Sequence, residues 1–178
     1  QKRGSNRVLR KSVKSRRDRP FLRTVEAKYG KYADLYEAEK EVTMELDKAL
    51  IEELIDTAVG ALQYSYTPYS GFKVGAALLA KNGRIYQGCN IENAAYTPTN
   101  CAERTAFFKA VSEGVKEFDA ICVVGGKDGV LTEYAAPCGV CRQVMMEFCN
   151  PETFQIILAT GKERYDIYTL KELLPLGF

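Results

Sequence analysis

The sequence contains no histidine, although it has 178 residues and six cysteines. Imidazole is the most common protein ligand for metals and the usual acid or base near neutral pH. Its absence excludes both roles for histidine in this chain. A metal site in this chain must use thiolates and carboxylates. Proton transfer must come from a carboxylate with a shifted pKa or from water activated by a metal.

Long apolar runs are also missing. No stretch approaches the roughly 20 apolar residues that span a bilayer, and the first residues do not show the pattern of a secretory signal. We therefore expect a soluble, cytoplasmic protein without membrane contact. In a reducing cytosol the six cysteines favour metal ligation over disulfides, and a chain that is 46% hydrophobic can bury a substantial core without them.

Acidic residues are scarce at the amino-terminal end. Gln1–Arg23 holds ten Lys or Arg against one Asp, so the remainder carries a net charge of −7 within the total of +2. We interpret residues 1–43 as a basic and then helix-favouring extension, which is natural, a targeting segment or a fusion remnant. Residues 44–178 are interpreted as one globular domain. The basic arm could bind nucleic acid, whereas we do not expect the domain to do so.

The hydrophobic pattern after residue 44 alternates between helix and strand periods. It predicts helices over 46–62, 101–113 and 138–149, and a last short helix with a capping box of Thr169 and Glu172. It predicts strands over 72–80, 85–89, 120–124, 154–159 and 164–168, with a hairpin turn at Asn82-Gly83 and a loop that contains Gly125-Gly126. This order implies an α/β fold, a three-layer α/β/α sandwich with a mixed five-stranded sheet.

Three cysteines stand at the predicted starts of two helices, in Cys101-Ala102-Glu103 and in Pro137-Cys138-Gly139-Val140-Cys141. The free N–H groups and the dipole of a helix start favour a thiolate over a thiol. Three protein ligands leave the fourth tetrahedral position of zinc open, which is typical of catalytic and not of structural zinc. The sequence therefore predicts a catalytic zinc site.

Glu103 is the residue expected to move a proton at this site. On a regular helix, residues two apart point about 200° away from each other, so Cys101 and Glu103 can cooperate only if the helix end faces the metal. Three thiolates would leave a divalent ion with a net charge of −1. This charge makes a zinc-bound water less acidic, and Arg104 and Arg142 could restore its acidity by drawing charge from the sulfurs. Pro137 is also next to a ligand.

Three motifs, Gly88–Ala94, Asn100–Ala106 and Pro137–Gln143, together resemble the small homotetrameric cytidine deaminases with a three-cysteine zinc site. The resemblance covers about residues 44–178. It implies hydrolytic deamination of cytidine and 2′-deoxycytidine in pyrimidine salvage, with release of ammonia. It also implies one Zn²⁺ per subunit and a homotetramer with shared active sites.

The same resemblance assigns a role to each matching residue. It makes Glu103 the proton carrier. The zinc ligands that it implies are Cys101, Cys138 and Cys141. The residues that it places around the nucleoside are Phe72 on the pyrimidine, Asn90 and Glu92 on the ribose hydroxyls, and Ala94, Tyr96 and Phe178 where neighbouring subunits share a site.

Two alternatives remain open from the sequence. The chain could deaminate another cytosine-containing substrate, such as a nucleic acid or a nucleoside antibiotic. It could also be a zinc-containing scaffold whose basic arm binds nucleic acid. Single residues have ordinary interpretations as well, since Phe72 could be a core aromatic, Glu103 a first-turn acid that favours the helix dipole, and Phe178 a terminal side chain that simply packs.

Overall fold

The structure, a computed structural model, describes residues 44–178, so the predicted extension over residues 1–43 lies outside the described residues. Within the described part, the helices are α1 Lys48–Ala61, α2 Ala102–Ser112, α3 Gly139–Phe148 and α4 Leu170–Leu173, with a 3-10 turn at Leu62–Tyr64. The strands are β1 Phe72–Ala80, β2 Ile85–Cys89, β3 Phe118–Lys127, β4 Gln155–Gly161 and β5 Arg164–Thr169.

The five strands form one sheet in the order β2-β1-β3-β4-β5. β1 is antiparallel to β2 and β3, β4 is parallel to β3, and β5 is antiparallel to β4. Because successive side chains of a strand point to opposite faces, Ala76 and Leu78 of β1 belong to a core with α2 and α3, while Ala77 and Leu79 pack with α1. The predicted three-layer α/β/α sandwich with a mixed five-stranded sheet is confirmed.

The predicted loop at Gly125-Gly126 is wrong, because both glycines belong to β3, which is longer than the predicted strand over 120–124. A Cβ atom at Gly126 would lie 1.9 Å from the carbonyl oxygen of Val130, and one at Gly125 would lie 2.8 Å from the Cβ of Ala135. These glycines therefore serve close packing of the following loop against the strand. The turn comes later, at Asp128 and Gly129, which both have positive φ.

Close contact between β2 and α2 fixes the start of that helix. A Cβ atom at Gly88 of β2 would lie 2.3 Å from the carbonyl oxygen of Ala102 and 2.6 Å from the nitrogen of Ala106. Only glycine lets the strand approach the first turn of α2 so closely. No helix within residues 44–178 has the length and apolar character that a membrane crossing needs.

Candidate metal centre

Two helices begin at the predicted metal site. Cys101 is the N-cap of α2 and has an extended backbone, with φ −78° and ψ 157°. Cys138 is the N-cap of α3, and its Sγ accepts a hydrogen bond from the backbone nitrogen of Cys141 at 3.4 Å. The helix ends therefore face the site, as the spacing of Cys101 and Glu103 requires.

The three sulfurs have the spacing that one zinc ion needs. The Sγ atoms of Cys101 and Cys138 are 3.9 Å apart, those of Cys138 and Cys141 are 3.4 Å apart, and all three lie within 4.8 Å of one another. Two sulfurs at tetrahedral angles on zinc are about 3.8 Å apart, given Zn–S bonds of about 2.3 Å. The cluster therefore fits one zinc ion. Among residues 44–178 it is the one group of three or more potential ligands, and it has no fourth protein member.

The thiols of this cluster differ in acidity. A hydrogen bond from Cys141 lowers the pKa of Cys101 to about 5, against the opposing effect of burial, and Arg104 lowers it further. The pKa of Cys141 is raised, because its proton is held in the hydrogen bond to Cys101 and the group is buried. Binding of a divalent cation would release that proton, because the thiolate is the ligand.

Glu103 lies in the first turn of α2 and is only 4% exposed. Burial raises the pKa of its carboxyl group, and the negative charge of Cys101 raises it further, while hydrogen bonds from its own backbone and from Cys141 oppose the shift. A carboxyl group with a raised pKa beside a metal site is suited to accept a proton and give it back.

The two arginines next to the site make different contacts. Arg104 donates to the Sγ of Cys101 at 3.6 Å and to the carbonyl oxygen of Thr99 at 3.3 Å. Arg142 donates instead to the carbonyl oxygen of Leu173, near the end of the chain. The predicted effect of Arg142 on the sulfurs stays a prediction. Pro137 is buried directly before Cys138.

The predicted nucleoside residues form a second group with shared hydrogen bonds. The Oδ1 atom of Asn90 accepts from the nitrogen of Val74 at 2.9 Å, and its Nδ2 donates to the carbonyl oxygen of Phe72 at 2.8 Å. The Oε2 atom of Glu92 accepts from the nitrogens of Tyr69 at 3.0 Å and Ser70 at 3.2 Å. The side chain of Phe72 is 42% exposed at the start of β1, so its predicted alternative as a core aromatic is disfavoured.

A cavity of about 340 Å³ lies beside Glu92. Sequence reasoning identified two of its lining residues and missed four; the six are Tyr69, Ser70, Glu92, Asn93, Tyr96 and Thr99. Each missed residue lies within three positions of a predicted one, since Asn93 follows Glu92, Tyr69 and Ser70 come shortly before Phe72, and Thr99 comes two positions before Cys101. Proximity along the chain was therefore the available signal.

Three predicted residues are exposed in the single chain. Tyr96 is 85% exposed and has a φ of 59°, and Phe178 at the end of the chain is 96% exposed. Ala94 is exposed too. The backbone of Phe178 is tied to α3, because Gln143 donates to its carbonyl oxygen. That these three residues contribute to neighbouring subunits stays a prediction.

Comparison with known proteins identifies the family. Residues 48–157 match the family described as the cytidine and deoxycytidylate deaminase zinc-binding region. A cytidine deaminase of Sporosarcina psychrophila is 52% identical over 128 residues, which are 72% of this chain and 90% of the relative. One of Halalkalibacterium halodurans is 48% identical over 125 residues, 70% of this chain and 91% of the relative.

A solved structure agrees with the sequence relatives. The crystal structure of cytidine deaminase from Burkholderia pseudomallei has a TM-score of 0.65 and 44% identity, and the match covers 71% of this chain and 97% of that one. The matched regions include all three cysteines of the cluster, whose spacing fits one zinc ion. The chain belongs to the cytidine and deoxycytidylate deaminase family of zinc-dependent hydrolytic enzymes.

Proposed function

We propose that residues 44–178 form a catalytic domain that hydrolyses cytidine and 2′-deoxycytidine to uridine and 2′-deoxyuridine, with release of ammonia, as a step of pyrimidine salvage in the cytoplasm. The observation that carries the proposal is the arrangement of three sulfurs at zinc spacing beside the buried carboxyl group of Glu103. Relatives that are named cytidine deaminases support the choice of substrate.

Zinc would be held by Cys101, Cys138 and Cys141, and when bound it supplies the Lewis acid that makes water nucleophilic at neutral pH. Glu103 takes a proton from the attacking water and delivers it to N3 of the pyrimidine. After attack at C4, the carboxylate takes the remaining proton from the new hydroxyl group and gives it to the departing amine, so that C4 becomes a carbonyl carbon and ammonia leaves. Its raised pKa supports this role, because a strongly acidic carboxylate would be a poor proton acceptor.

The remaining predicted residues orient the nucleoside. Phe72 offers an exposed aromatic face for the flat pyrimidine ring. Glu92 uses Oε2 for the Tyr69 and Ser70 nitrogens, which leaves Oε1 for a ribose hydroxyl. Asn90 uses one amide hydrogen for the carbonyl oxygen of Phe72, so its second hydrogen can reach the same sugar.

We propose further that the enzyme is a homotetramer with shared active sites. Ala94, Tyr96 and Phe178 would then complete the substrate pocket of adjacent subunits. The exposure of the large side chains of Tyr96, which lines the cavity, and Phe178 supports this assignment, because exposed apolar groups of this size are typical of a surface that a second chain covers.

The proposed function is tested by the loss of cytidine absorbance on conversion to uridine. We expect turnover by the metal-loaded protein, loss of turnover after removal of zinc with a chelator, and recovery when one equivalent of zinc is added. Single-stranded oligonucleotide in place of cytidine tests the alternative substrate class. Preference for the oligonucleotide, or ammonia release that does not depend on zinc, would contradict the proposal.

A further inference from the structure

The backbone of Ser70 forms hydrogen bonds with charged side chains through both its nitrogen and its carbonyl oxygen. Its nitrogen donates to the Oε2 of Glu92 at 3.2 Å, and its carbonyl oxygen accepts from the Nζ of Lys127 at 2.6 Å. Lys127 is the last residue of β3, and its partner in the β1–β3 register is Phe72. One lysine therefore reaches the loop that leads into Phe72, expected to contact the base, and that donates two hydrogen bonds to Glu92, expected to contact the sugar.

The backbone around Ser70 is fitted to this lysine. Gly71 has a φ of 62°, and a Cβ atom there would lie 2.6 Å from the Nζ of Lys127. The missing side chain leaves the space that the ammonium group occupies. The nitrogen of Asp128 donates to the carbonyl oxygen of Gly71 at 2.8 Å. The consecutive carbonyl oxygens of Ser70 and Gly71 therefore both accept hydrogen bonds from the end of β3 and the residue after it.

The hydroxyl group of Ser70 extends the connection in both directions. The interaction of this side chain with Glu92, together with the Tyr69 nitrogen and the charge of Lys127, lowers the pKa of the Glu92 carboxyl group. The hydroxyl oxygen of Ser70 accepts from the nitrogen of Phe72 at 2.9 Å. Lys127, Ser70 and Glu92 thus form a chain of contacts that sets the position of the Glu92 carboxylate relative to the start of β1.

We propose that Lys127 is a positioning residue for the nucleoside site, which holds the Ser70 peptide and thereby aims the free oxygen of Glu92 at a ribose hydroxyl. Lys127 itself does not contact the reacting atoms. This inference rests on the proposed function, and it adds a determinant of specificity for the sugar that lies outside the three sequence motifs.

The test uses the zinc-loaded full chain and three variants. Lys127→Met removes the charge at nearly constant length, Lys127→Arg keeps a cationic donor, and Lys116→Met is the control, an exposed lysine just before the opposite end of β3. We expect Lys127→Met to raise KM for cytidine about 3- to 10-fold, the loss of one hydrogen bond, with kcat changed less than about twofold because the metal site is untouched.

The substrate 2′,3′-dideoxycytidine separates positioning from a merely structural role. It lacks the 2′- and 3′-hydroxyl groups that Glu92 is proposed to bind, so the rise in KM caused by Lys127→Met should shrink to less than about twofold. The KM of Lys127→Arg for cytidine should lie close to the wild-type value, and the KM of Lys116→Met should equal it. An equal rise in KM for both nucleosides, or no rise for either, would overturn the proposal.

Hydrogen exchange gives a readout that needs no turnover. Without substrate, Lys127→Met should exchange the amides of residues 69–72 faster than the wild type, while Lys116→Met should not. If the wild type fails to deaminate cytidine, the proposed function fails. Hydrogen exchange still tests whether Lys127 holds the Ser70 backbone. Unchanged exchange in Lys127→Met would overturn the inference even if cytidine is turned over.

Discussion

Glu103 combines burial with a position beside three thiols, and both bear on its proposed role. We expect Glu103→Gln to lower kcat for cytidine about 10²- to 10⁴-fold, the usual contribution of a general acid or base. The substitution keeps the shape and hydrogen-bonding capacity of the side chain but cannot carry the proton. The absorbance assay measures the rate, and elemental analysis should find the zinc content unchanged.

Glu113→Gln is the matched control for this substitution. Glu113 lies at the other end of α2, where it is paired with Arg84 at 2.7 Å on the surface. Removal of this charge should leave the rate within about twofold of the wild type, since exposed ion pairs contribute little. Retained activity in Glu103→Gln would contradict the assignment of the proton carrier.

The six thiols should fall into distinct classes of reactivity. Burial raises the pKa of Cys122 to about 12, and it raises that of Cys149 well above the ordinary value. At pH 8 these two groups are therefore almost entirely protonated and should stay unlabelled by iodoacetamide in the native protein. Cys101 and Cys138 should be protected by zinc and should react after chelation, which peptide mass spectrometry can follow.

Equal labelling with and without a chelator would mean that the cluster does not hold the metal. Cys122 also supplies an internal control for unfolding. If it becomes labelled when zinc is removed, the chelator has opened the fold as well as the site.

The cluster of three cysteines could be predicted residue by residue, but several contacts around it could not. Cysteine spacing at helix starts indicated a three-sulfur site, and the structure places those sulfurs at zinc spacing. The guanidinium of Arg142 lies on the carbonyl of Leu173, 31 positions away, and no local pattern indicates so distant a partner. Lys127 was missed for the same reason, since it belongs to no motif and acts on a loop 57 positions away.

The approach of β2 to α2 leads to a prediction about the stability of the metal site. Gly88→Ala would place a Cβ atom 2.3 Å from the backbone oxygen of Ala102, so the first turn of α2 must move. We expect a loss of about 1–3 kcal/mol in the free energy of unfolding, which is typical of an overpacked contact. Urea unfolding measures it, and competition with a zinc chelator should show weaker zinc binding, because Cys101 moves with the helix.

Gly139→Ala provides the comparison. Gly139 lies between two of the cysteines at the start of α3, but the nearest atom to its Cβ position is 3.9 Å away. This substitution should leave both the unfolding free energy and zinc affinity near their wild-type values. If the two variants behave alike, the close contact at Gly88 does not position the metal ligand.

Elements with local signals could be predicted well, whereas those shaped by distant packing could not. Thr169 and Glu172 form the expected capping box at the start of α4, because that motif is complete within four residues. Gly125 and Gly126 were interpreted as a loop, yet they belong to β3, since their lack of side chains admits a later segment of the chain. The sequence alone does not distinguish a glycine that forms a loop from a glycine that admits close packing against a strand.

At the scale of the whole molecule, the exposed aromatic side chains lead to a prediction about assembly. Tyr96 and Phe178 are among the most exposed apolar groups of the described residues. We expect sedimentation at four times the mass of one chain. Deletion of Phe178 should raise KM for cytidine if this ring reaches a neighbouring site, with zinc content unchanged.

A monomeric mass at micromolar concentration would contradict the proposed shared sites. An unchanged KM after deletion of Phe178, measured on protein that is still tetrameric, would show that the terminal ring only packs. Leu176 is exposed as well. The KM after deletion of residues 176–178 can therefore be compared with the KM after deletion of Phe178 alone.

The separation of Cys101 and Cys138 by 37 positions has a consequence for how the protein acquires its metal. In an unfolded chain, the entropy lost on closing so long a loop opposes joint binding by both segments. The Cys138 and Cys141 pair alone offers two sulfurs and little selectivity. Tight and selective loading is therefore a property of the folded chain, so a nascent polypeptide would have to bring the starts of α2 and α3 together before it can compete for scarce cellular zinc.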